Sequence, residues 1–304
     1  MIAAVSDTDA RPARLGRHDS REAAELRALK GRHPELADAV DMHLELVEMN
    51  RRIQGRVQLP WFDLSTDTIV RHQLAGQPLL RFEDIPLELT DLRLMVRQTA
   101  DVLRRHAALE DADVLQVEAV GRGESLISVV AHWYRLTADR LATAPARRPP
   151  VHDSETPSGL AGGLTSAMDQ VLVLAMRPFL ARCADVLQQR ADLATWTHPY
   201  CALCGGEPDF SVITPGAERH LICGRCTLRW KFEPLTCPYC SNPDRARITS
   251  FATQDGQYRV YGCDVCRRYL KAYDGRRGQR PVMPDVDTVA TLPLDAAAMQ
   301  RGYA

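Results

Sequence analysis

Four Cys-x-x-Cys pairs in the last third of the chain constrain its fold more than any other feature of the sequence. They hold eight of the nine cysteines and share one spacing: Cys201/Cys204, Cys223/Cys226, Cys237/Cys240 and Cys263/Cys266. Two residues between thiolates allow one tight turn to direct both sulfurs at a single tetrahedral ion. Because two such pairs satisfy one ion, the four pairs predict two closed metal sites.

The eight cysteines form two copies of one unit, in which a hairpin separates two Cys-x-x-Cys turns, here called knuckles. The first hairpin turns at Pro215 and Gly216, and the second at Asp255 and Gly256. Since a hairpin brings its own ends together, each copy is predicted to bind one ion. The predicted ligand sets are Cys201, Cys204, Cys223 and Cys226 for one ion, and Cys237, Cys240, Cys263 and Cys266 for the other. Crossed pairing of the knuckles is the alternative, and it would break each hairpin.

Four thiolates leave no coordination position for water or substrate, so both sites are expected to be closed. A tetrahedral sulfur shell suits zinc and iron alike, and the spacing does not choose between them. His198 and His220 lie beside knuckles, but eight cysteines already fill two sites. Cys183 is interpreted as a small core residue, because no activating histidine or cation is evident near it. No motif typical of a catalytic site occurs elsewhere in the sequence.

Composition and charge place the chain among ordinary globular proteins. Its 304 residues are 45% hydrophobic and 25% charged, with a net charge of −1, which names no partner. Residues 201–280 carry 13 Lys and Arg against 8 Asp and Glu, a mild bias rather than a nucleic-acid footprint. The first 21 residues are too polar for a signal peptide, and no apolar run is long enough to span a bilayer. We therefore expect a cytoplasmic protein whose paired cysteines are reduced and bind metal.

The first two thirds of the chain predict a helical bundle. Helices are expected from a cap at Asp19 or Ser20, from Pro34 to about Ile53, and from near Thr90 to between His106 and Leu109. Two more are expected over about 125–142 and from Thr165 or Ser166 to about Arg190, the last with a kink at Pro178. Residues 54–85 are expected to form an ordered connector without regular structure. A turn is expected at 121–123, and a loop over 143–163.

The predicted class is α+β, with a helical bundle followed by two tandem rubredoxin-like or zinc-ribbon β-hairpin modules. We expect a helical domain over 1–195, four-cysteine ribbon modules over 196–233 and 234–280, and a C-terminal tail over 281–304 that packs on them.

These residues resemble the FdhE family of formate dehydrogenase accessory proteins. The resemblance is carried by Pro-Phe-Leu at 178–180, Cys-Ala-Leu-Cys-Gly at 201–205, the later knuckles with Trp230, Tyr-Leu-Lys at 269–271, and the tail from 285 to 295. It covers most of the chain and is most specific after residue 200. The Pro-rich stretch at 143–163 departs from the family pattern and contains no predicted ligand.

The resemblance implies a non-catalytic cytoplasmic assembly factor for exported respiratory formate dehydrogenases. Such proteins bind the catalytic subunit before twin-arginine export and hold iron through their cysteine pairs. On that basis the eight cysteines are predicted to bind two iron ions, with zinc as the alternative. A homodimer is compatible with this interpretation, whereas membrane insertion is not expected.

Two other functions stay open on the sequence alone. One is a nucleic-acid-binding ribbon, suggested by six cations after the last knuckle: Arg267, Arg268, Lys271, Arg276, Arg277 and Arg280. The other is a redox protein that uses one knuckle as a dithiol.

Overall fold

The computed structural model describes residues 20–59, 65–143, 165–190, 193–278 and 280–304. Within these ranges the chain forms ten α-helices and six β-strands. The first eight helices are α1 (Arg21–Arg32), α2 (Ala37–Gln54), α3 (Thr66–Ala75), α4 (Leu89–Arg105), α5 (Asp111–Arg122), α6 (Leu126–Thr143), α7 (Ser166–Ala175) and α8 (Arg177–Arg190). Most of the loop predicted over 143–163 lies outside the described residues, as does the segment 60–64.

Helices α1, α2 and α4 lie close to where the sequence predicts them. Ser20 caps α1, because its side-chain oxygen accepts a hydrogen bond from the backbone N–H of Ala23 (3.0 Å). Pro34 opens the 3-10 turn that leads into α2. The long helix α4 buries one apolar face, including Leu92 and Val96, against α2, α5 and α7.

Two helices that precede the sheet, α3 and α5, were not predicted, and neither were the two short helices that follow it. The connector expected over 54–85 contains α3, which starts at the cap Ser65 and ends at Gly76 with a φ of 62°. The turn expected at 121–123 is wrong as well, since Gly121 lies inside α5. A Cβ on Gly121 would lie 3.3 Å from a methyl carbon of Val96, so the glycine permits close packing of α5 on α4.

The helix predicted from Thr165 to Arg190 is divided in two. α7 ends at Ala175 and α8 starts at Arg177, so that Pro178 occupies the first turn of α8. A proline is tolerated there because the first N–H groups of a helix have no intrahelical acceptor. The proline therefore starts a helix instead of bending one.

All six strands form one mixed sheet in the order β3-β2-β1-β6-β5-β4. The strands are β1 (Pro208–Ile213), β2 (Arg219–Cys223), β3 (Arg229–Phe232), β4 (Ile248–Ala252), β5 (Tyr258–Cys263) and β6 (Tyr269–Asp274). Each predicted hairpin has gained a third antiparallel strand after its second knuckle. The helical part followed by a sheet that carries the cysteines confirms the α+β class, while the predicted domain boundaries stay predictions.

The two three-stranded units meet at β1 and β6, which are parallel and pair Phe210 with Lys271 and Ile213 with Asp274. One knuckle precedes β1 and another precedes β6. Because the two strands run in the same direction, both knuckles lie at the same end of the sheet. The other two knuckles lie at that end too, since one joins β2 to β3 and the other precedes β4, which is antiparallel to β5.

The C-terminal segment joins the helical part to the sheet. α9 (Pro284–Ala290) packs its Val286 and Val289 on α1 and α2, and α10 (Leu292–Gln300) lies against β5. The buried carboxylate of Asp287 accepts hydrogen bonds from the Tyr258 hydroxyl (2.8 Å) and from Arg280 (2.6 Å). No helix in the described ranges has the length and apolar character needed to cross a membrane.

Candidate metal centres

The structure groups the eight cysteines into the same two sets that the hairpins predict. In each set the four sulfurs lie within 4.8 Å of one another. Site 1 consists of Cys201, Cys204, Cys223 and Cys226, and site 2 consists of Cys237, Cys240, Cys263 and Cys266. Among the described residues no other group of three or more His, Cys, Asp or Glu side chains comes together in this way.

The sulfur spacing fits a tetrahedral metal ion. In site 1 the Sγ atoms of Cys201 and Cys226 are 3.5 Å apart, and in site 2 those of Cys237 and Cys266 are 3.7 Å apart. A metal–sulfur bond of about 2.3 Å places the corners of a sulfur tetrahedron about 3.8 Å apart. A disulfide would need about 2.05 Å. The donor set is soft and complete, so it suits zinc or iron and leaves no position for a substrate.

All four knuckles have the same backbone geometry. In each, the N–H of the residue after the second cysteine donates to the carbonyl oxygen of the first cysteine, at 2.8 to 3.1 Å. That donor residue has a positive φ in every case: Gly205 (70°), Thr227 (60°), Ser241 (56°) and Arg267 (59°). The repeated turn is what directs two sulfurs of each pair to one point.

The two sites differ in burial. All four cysteines of site 1 are at most 3% exposed, whereas Cys240 and Cys266 of site 2 are partly exposed. Burial raises the pKa of the Cys201 and Cys226 thiols, so thiolates at these positions depend on a nearby cation. A bound metal ion would supply that charge.

Site 1 is part of the helical core. The backbone N–H groups of Leu79 and Leu80, between α3 and α4, donate to the carbonyl oxygens of Ala202 and Leu203 in the first knuckle (2.8 and 2.9 Å). Arg225, in the second knuckle, stacks on a ring of α6, because its guanidinium carbon lies 4.0 Å from the Trp133 centroid. The connector after α3 therefore has a role in the site that its sequence did not indicate.

A second group of side chains links site 1 to site 2. Arg268 makes two hydrogen bonds to the carboxylate of Glu207 (2.8 and 3.1 Å), and its guanidinium carbon lies 3.6 Å from the centroid of the Tyr239 ring. The Tyr239 hydroxyl in turn donates to the carbonyl oxygen of Pro208 (3.1 Å). These contacts fix the two sites relative to one another across the β1–β6 junction.

Residues 301–304, here called the C-terminal strap, hold the last knuckle of site 2. The Tyr303 hydroxyl donates to Asp264 (2.6 Å). The Tyr303 ring packs so closely on Gly262 that a Cβ at that position would come within 2.7 to 2.9 Å of its ring carbons. Arg267 donates to the carbonyl oxygens of Arg301 (2.7 Å) and Gly302 (3.1 Å). The strap therefore contacts residues on both sides of the Cys263 to Cys266 turn.

The other sequence candidates lie outside the two sites. His198 stacks on Tyr200 with ring centroids 5.1 Å apart, and His220 lies on β2, half-buried. Cys183 is fully buried in the main hydrophobic core, where burial raises its pKa to about 12. These observations agree with the interpretation of the three residues as structural.

Most of the cations proposed for a nucleic-acid interface form ion pairs within the molecule. Five of the six pair with carboxylates: Arg267 with Asp264, Arg268 with Glu207, Lys271 with Asp295, Arg276 with Asp274, and Arg280 with Asp287. A phosphate backbone would have to compete with these pairs, so the structure does not favour a nucleic-acid-binding surface.

Together the fold and the sites define an α+β protein with two tetracysteine sites on one sheet behind a helical layer. No family model matches the chain. Over 108 residues it is 30% identical to the protein FdhE of Escherichia coli O1:K1 and to that of Shigella boydii serotype 18. The match spans 34% of this chain and 35% of each of these relatives.

The crystal structure of the FdhE protein from Pseudomonas aeruginosa has the same fold. It matches with a TM-score of 0.57 over 93% of this chain and 92% of that one, at 17% sequence identity. The predicted resemblance to FdhE proteins is thus confirmed, in sequence over about a third of the chain and in fold over most of it.

Proposed function

We propose that this protein is an assembly factor for formate dehydrogenase. It binds the catalytic subunit in the cytoplasm, before that subunit is exported by the twin-arginine route. The single observation that carries the proposal is the fold shared with an FdhE protein over more than nine tenths of both chains. The partial sequence match to FdhE proteins supports the same function.

The chemistry of the two sites supports a binding role over a catalytic one. Each site places four sulfurs around one point, so a bound ion has no open position for a reactant. In the dithiol alternative, two sulfurs of one knuckle would react with each other. The sulfur contacts that the structure shows, however, join different knuckles, such as Cys204 and Cys223 at 3.5 Å. We therefore propose that the protein is not an enzyme.

We propose that the eight cysteines hold two metal ions, which are iron by the family resemblance and zinc in the alternative. The ions stabilise the knuckles and so shape the sheet that presents the binding surface. Elemental analysis and an absorption spectrum of anaerobically purified protein distinguish the metals. Two irons with ferric-thiolate colour support the proposal, and two colourless zincs would assign the sites to zinc.

Capture of the partner tests the function directly. The immobilised full chain is incubated with extracts that contain a formate dehydrogenase catalytic subunit whose export is blocked. We expect it to retain that subunit and not the mature enzyme extracted from the membrane fraction. Failure to retain the unexported subunit from an extract shown to contain it would overturn the proposal.

A matched pair of variants shows whether capture depends on the metal sites. Cys240→Ser removes one ligand at the partly exposed site 2, and we expect capture to fall with the loss of one ion. Ser241→Ala, at the next residue, leaves all ligands in place and is expected to capture normally. Equal capture by both variants would show that site 2 does not shape the binding surface.

A further inference from the structure

The outer edge of β4 has no strand partner among the residues that the structure describes. β4 is the last strand of the sheet, and in the described part of the chain β5 is its only strand partner. Two hydrogen bonds show which backbone N–H and C=O groups of this segment point toward β5. Thr253 N–H donates to Tyr258 O (3.0 Å), and Asp264 N–H donates to Arg247 O (2.9 Å). Since backbone groups alternate along a strand, the odd-numbered residues bond to β5 and the even-numbered residues point outward.

No charge or proline within β4 protects this edge. The strand reads Ile-Thr-Ser-Phe-Ala, and Thr249, Ser250 and Ala252 are exposed. Ser250, at the centre, directs both its N–H and its carbonyl oxygen outward. An exposed, uncharged edge strand is a template for pairing with another strand.

The opposite edge of the sheet shows the protection that β4 lacks. β3 is four residues long, and the hydrogen bond from Cys223 N–H to Leu228 O (3.0 Å) sets its alternation. By that alternation its outward-facing residues are Arg229 and Lys231, both charged, and Pro234 follows shortly after. Charged side chains and a short strand are the usual means of preventing edge-to-edge association.

We propose that β4 pairs antiparallel with β4 of a second copy of this chain, about a two-fold axis at Ser250. In this register Ser250 faces its own equivalent, and the pair exchanges two backbone hydrogen bonds. Ile248 of each copy faces Ala252 of the other. A two-fold interface brings one patch against itself, so the patch must be self-complementary.

The charges around β4 meet that requirement. Exposed Arg245 and Arg247 precede the strand, and exposed Asp255 follows it. In the antiparallel register centred on Ser250, Arg245 of each copy lies opposite Asp255 of the other. Basic residues before β4 and an acidic residue after it are therefore complementary to the same segment in an antiparallel second copy. The pairing would join the two six-stranded sheets into one continuous sheet.

Removing the central hydrogen bonds tests this proposal without disturbing the internal ladder. Ser250→Pro deletes an N–H that has no role in pairing with β5, and proline is tolerated on edge strands. Sedimentation velocity of the metal-loaded full chain is expected to show a concentration-dependent dimer of the 33.9 kDa chain. Ser250→Pro should raise the dimer Kd about tenfold or more, because both central bonds are lost.

Lys231→Pro is the matched control, since it places the same change at an outward position of the other edge. It is expected to leave the dimer Kd unchanged. Arg245→Gln and Asp255→Asn should each raise the Kd about twofold to fivefold at low salt and less at high salt. A wild-type chain that stays monomeric throughout, or a dimer weakened equally by Lys231→Pro, would overturn the proposal.

Amide hydrogen exchange gives a second readout that needs no variant. The Ser250 and Ala252 N–H groups should exchange rapidly in dilute protein and become protected as concentration rises. The Thr249 N–H, which faces β5, should be protected at every concentration. If a dimer forms while the Ser250 amide stays unprotected, β4 is not the interface.

Discussion

At the scale of single residues, the knuckles are held by a backbone conformation that most side chains avoid. Four residues after the knuckles have φ between 56° and 70°, and only Gly205 is a glycine. For a β-branched residue such as Thr227 this conformation costs about 1–2 kcal/mol. The sheet and the sulfur geometry must therefore overcome a local preference for another conformation.

Relief of this strain is measurable at Thr227. We expect Thr227→Gly to raise the free energy of unfolding by about 0.5–1 kcal/mol, because the relieved strain exceeds the added entropy of the unfolded glycine chain. Gly205→Ala, at the equivalent position of the first knuckle, should lower it. Denaturant unfolding of metal-saturated protein measures both changes. A destabilised Thr227→Gly would mean that the threonine side chain makes contacts worth more than the strain.

A second residue-scale prediction concerns Gly121, whose place in α5 depends on its small size. A Cβ at this position would lie 3.3 Å from Val96 of α4. Gly121→Leu should therefore separate α5 from α4 and destabilise the fold by about 1–3 kcal/mol through overpacking. Gly31→Ala, where a Cβ would have no neighbour within 4 Å, is the control and should be neutral or slightly stabilising. Thermal unfolding of the two variants decides between these outcomes.

At the scale of elements, we expect the C-terminal strap to determine how tightly site 2 holds a bound metal ion. The strap contacts Gly262, Asp264 and Arg267, which flank two of the four ligands. Tyr303→Ala removes the hydrogen bond to Asp264 and the cation–π contact with Arg267, so we expect roughly tenfold faster metal release from site 2. Tyr303→Phe should have a smaller effect. A chromophoric chelator in a stopped-flow experiment measures the rates.

Site 1 is the internal control for this experiment. The hydrogen bonds and ring contacts that the structure shows for the strap lie at site 2, on β4 and on α10, and none involves a cysteine of site 1, so the release rate from site 1 should not change. Faster release from both sites in Tyr303→Ala would show that the strap supports the whole fold and not one knuckle.

Local patterns predicted the knuckles, their grouping and most helices, because each depends on residues close in sequence. The missed elements have weaker local signals. α3 buries only Ile69 among its ten residues, so its apolar period is faint, although Ser65 and Gly76 marked both ends. β3 alternates exposed and buried residues, a strand pattern only four residues long. The β1–β6 pairing joins residues about sixty apart and has no local signature.

At the scale of the whole molecule, the two tetracysteine sites occupy different structural settings. Site 1 belongs to the main hydrophobic core together with residues of the helices, whereas site 2 lies toward the surface. Cys204→Ser should therefore lower the thermal stability of the helical part, with a loss of helical circular dichroism at lower temperature. Cys240→Ser should leave that transition close to the wild-type value. The opposite order would mean that site 2 is the more important site for the fold.

The parallel contact between β1 and β6 also has a consequence for the order of events during synthesis. β1 leaves the ribosome with its first unit, but its second neighbour is made only after nearly all of the second unit has been translated. Until then the backbone groups on the β6-facing edge of β1 are unpaired and can pair with strands of other chains. In a truncated chain that ends after the first three-stranded unit, this edge of β1 would never gain its partner strand. Such a fragment should aggregate during expression even when a metal ion is bound to the four cysteines of site 1.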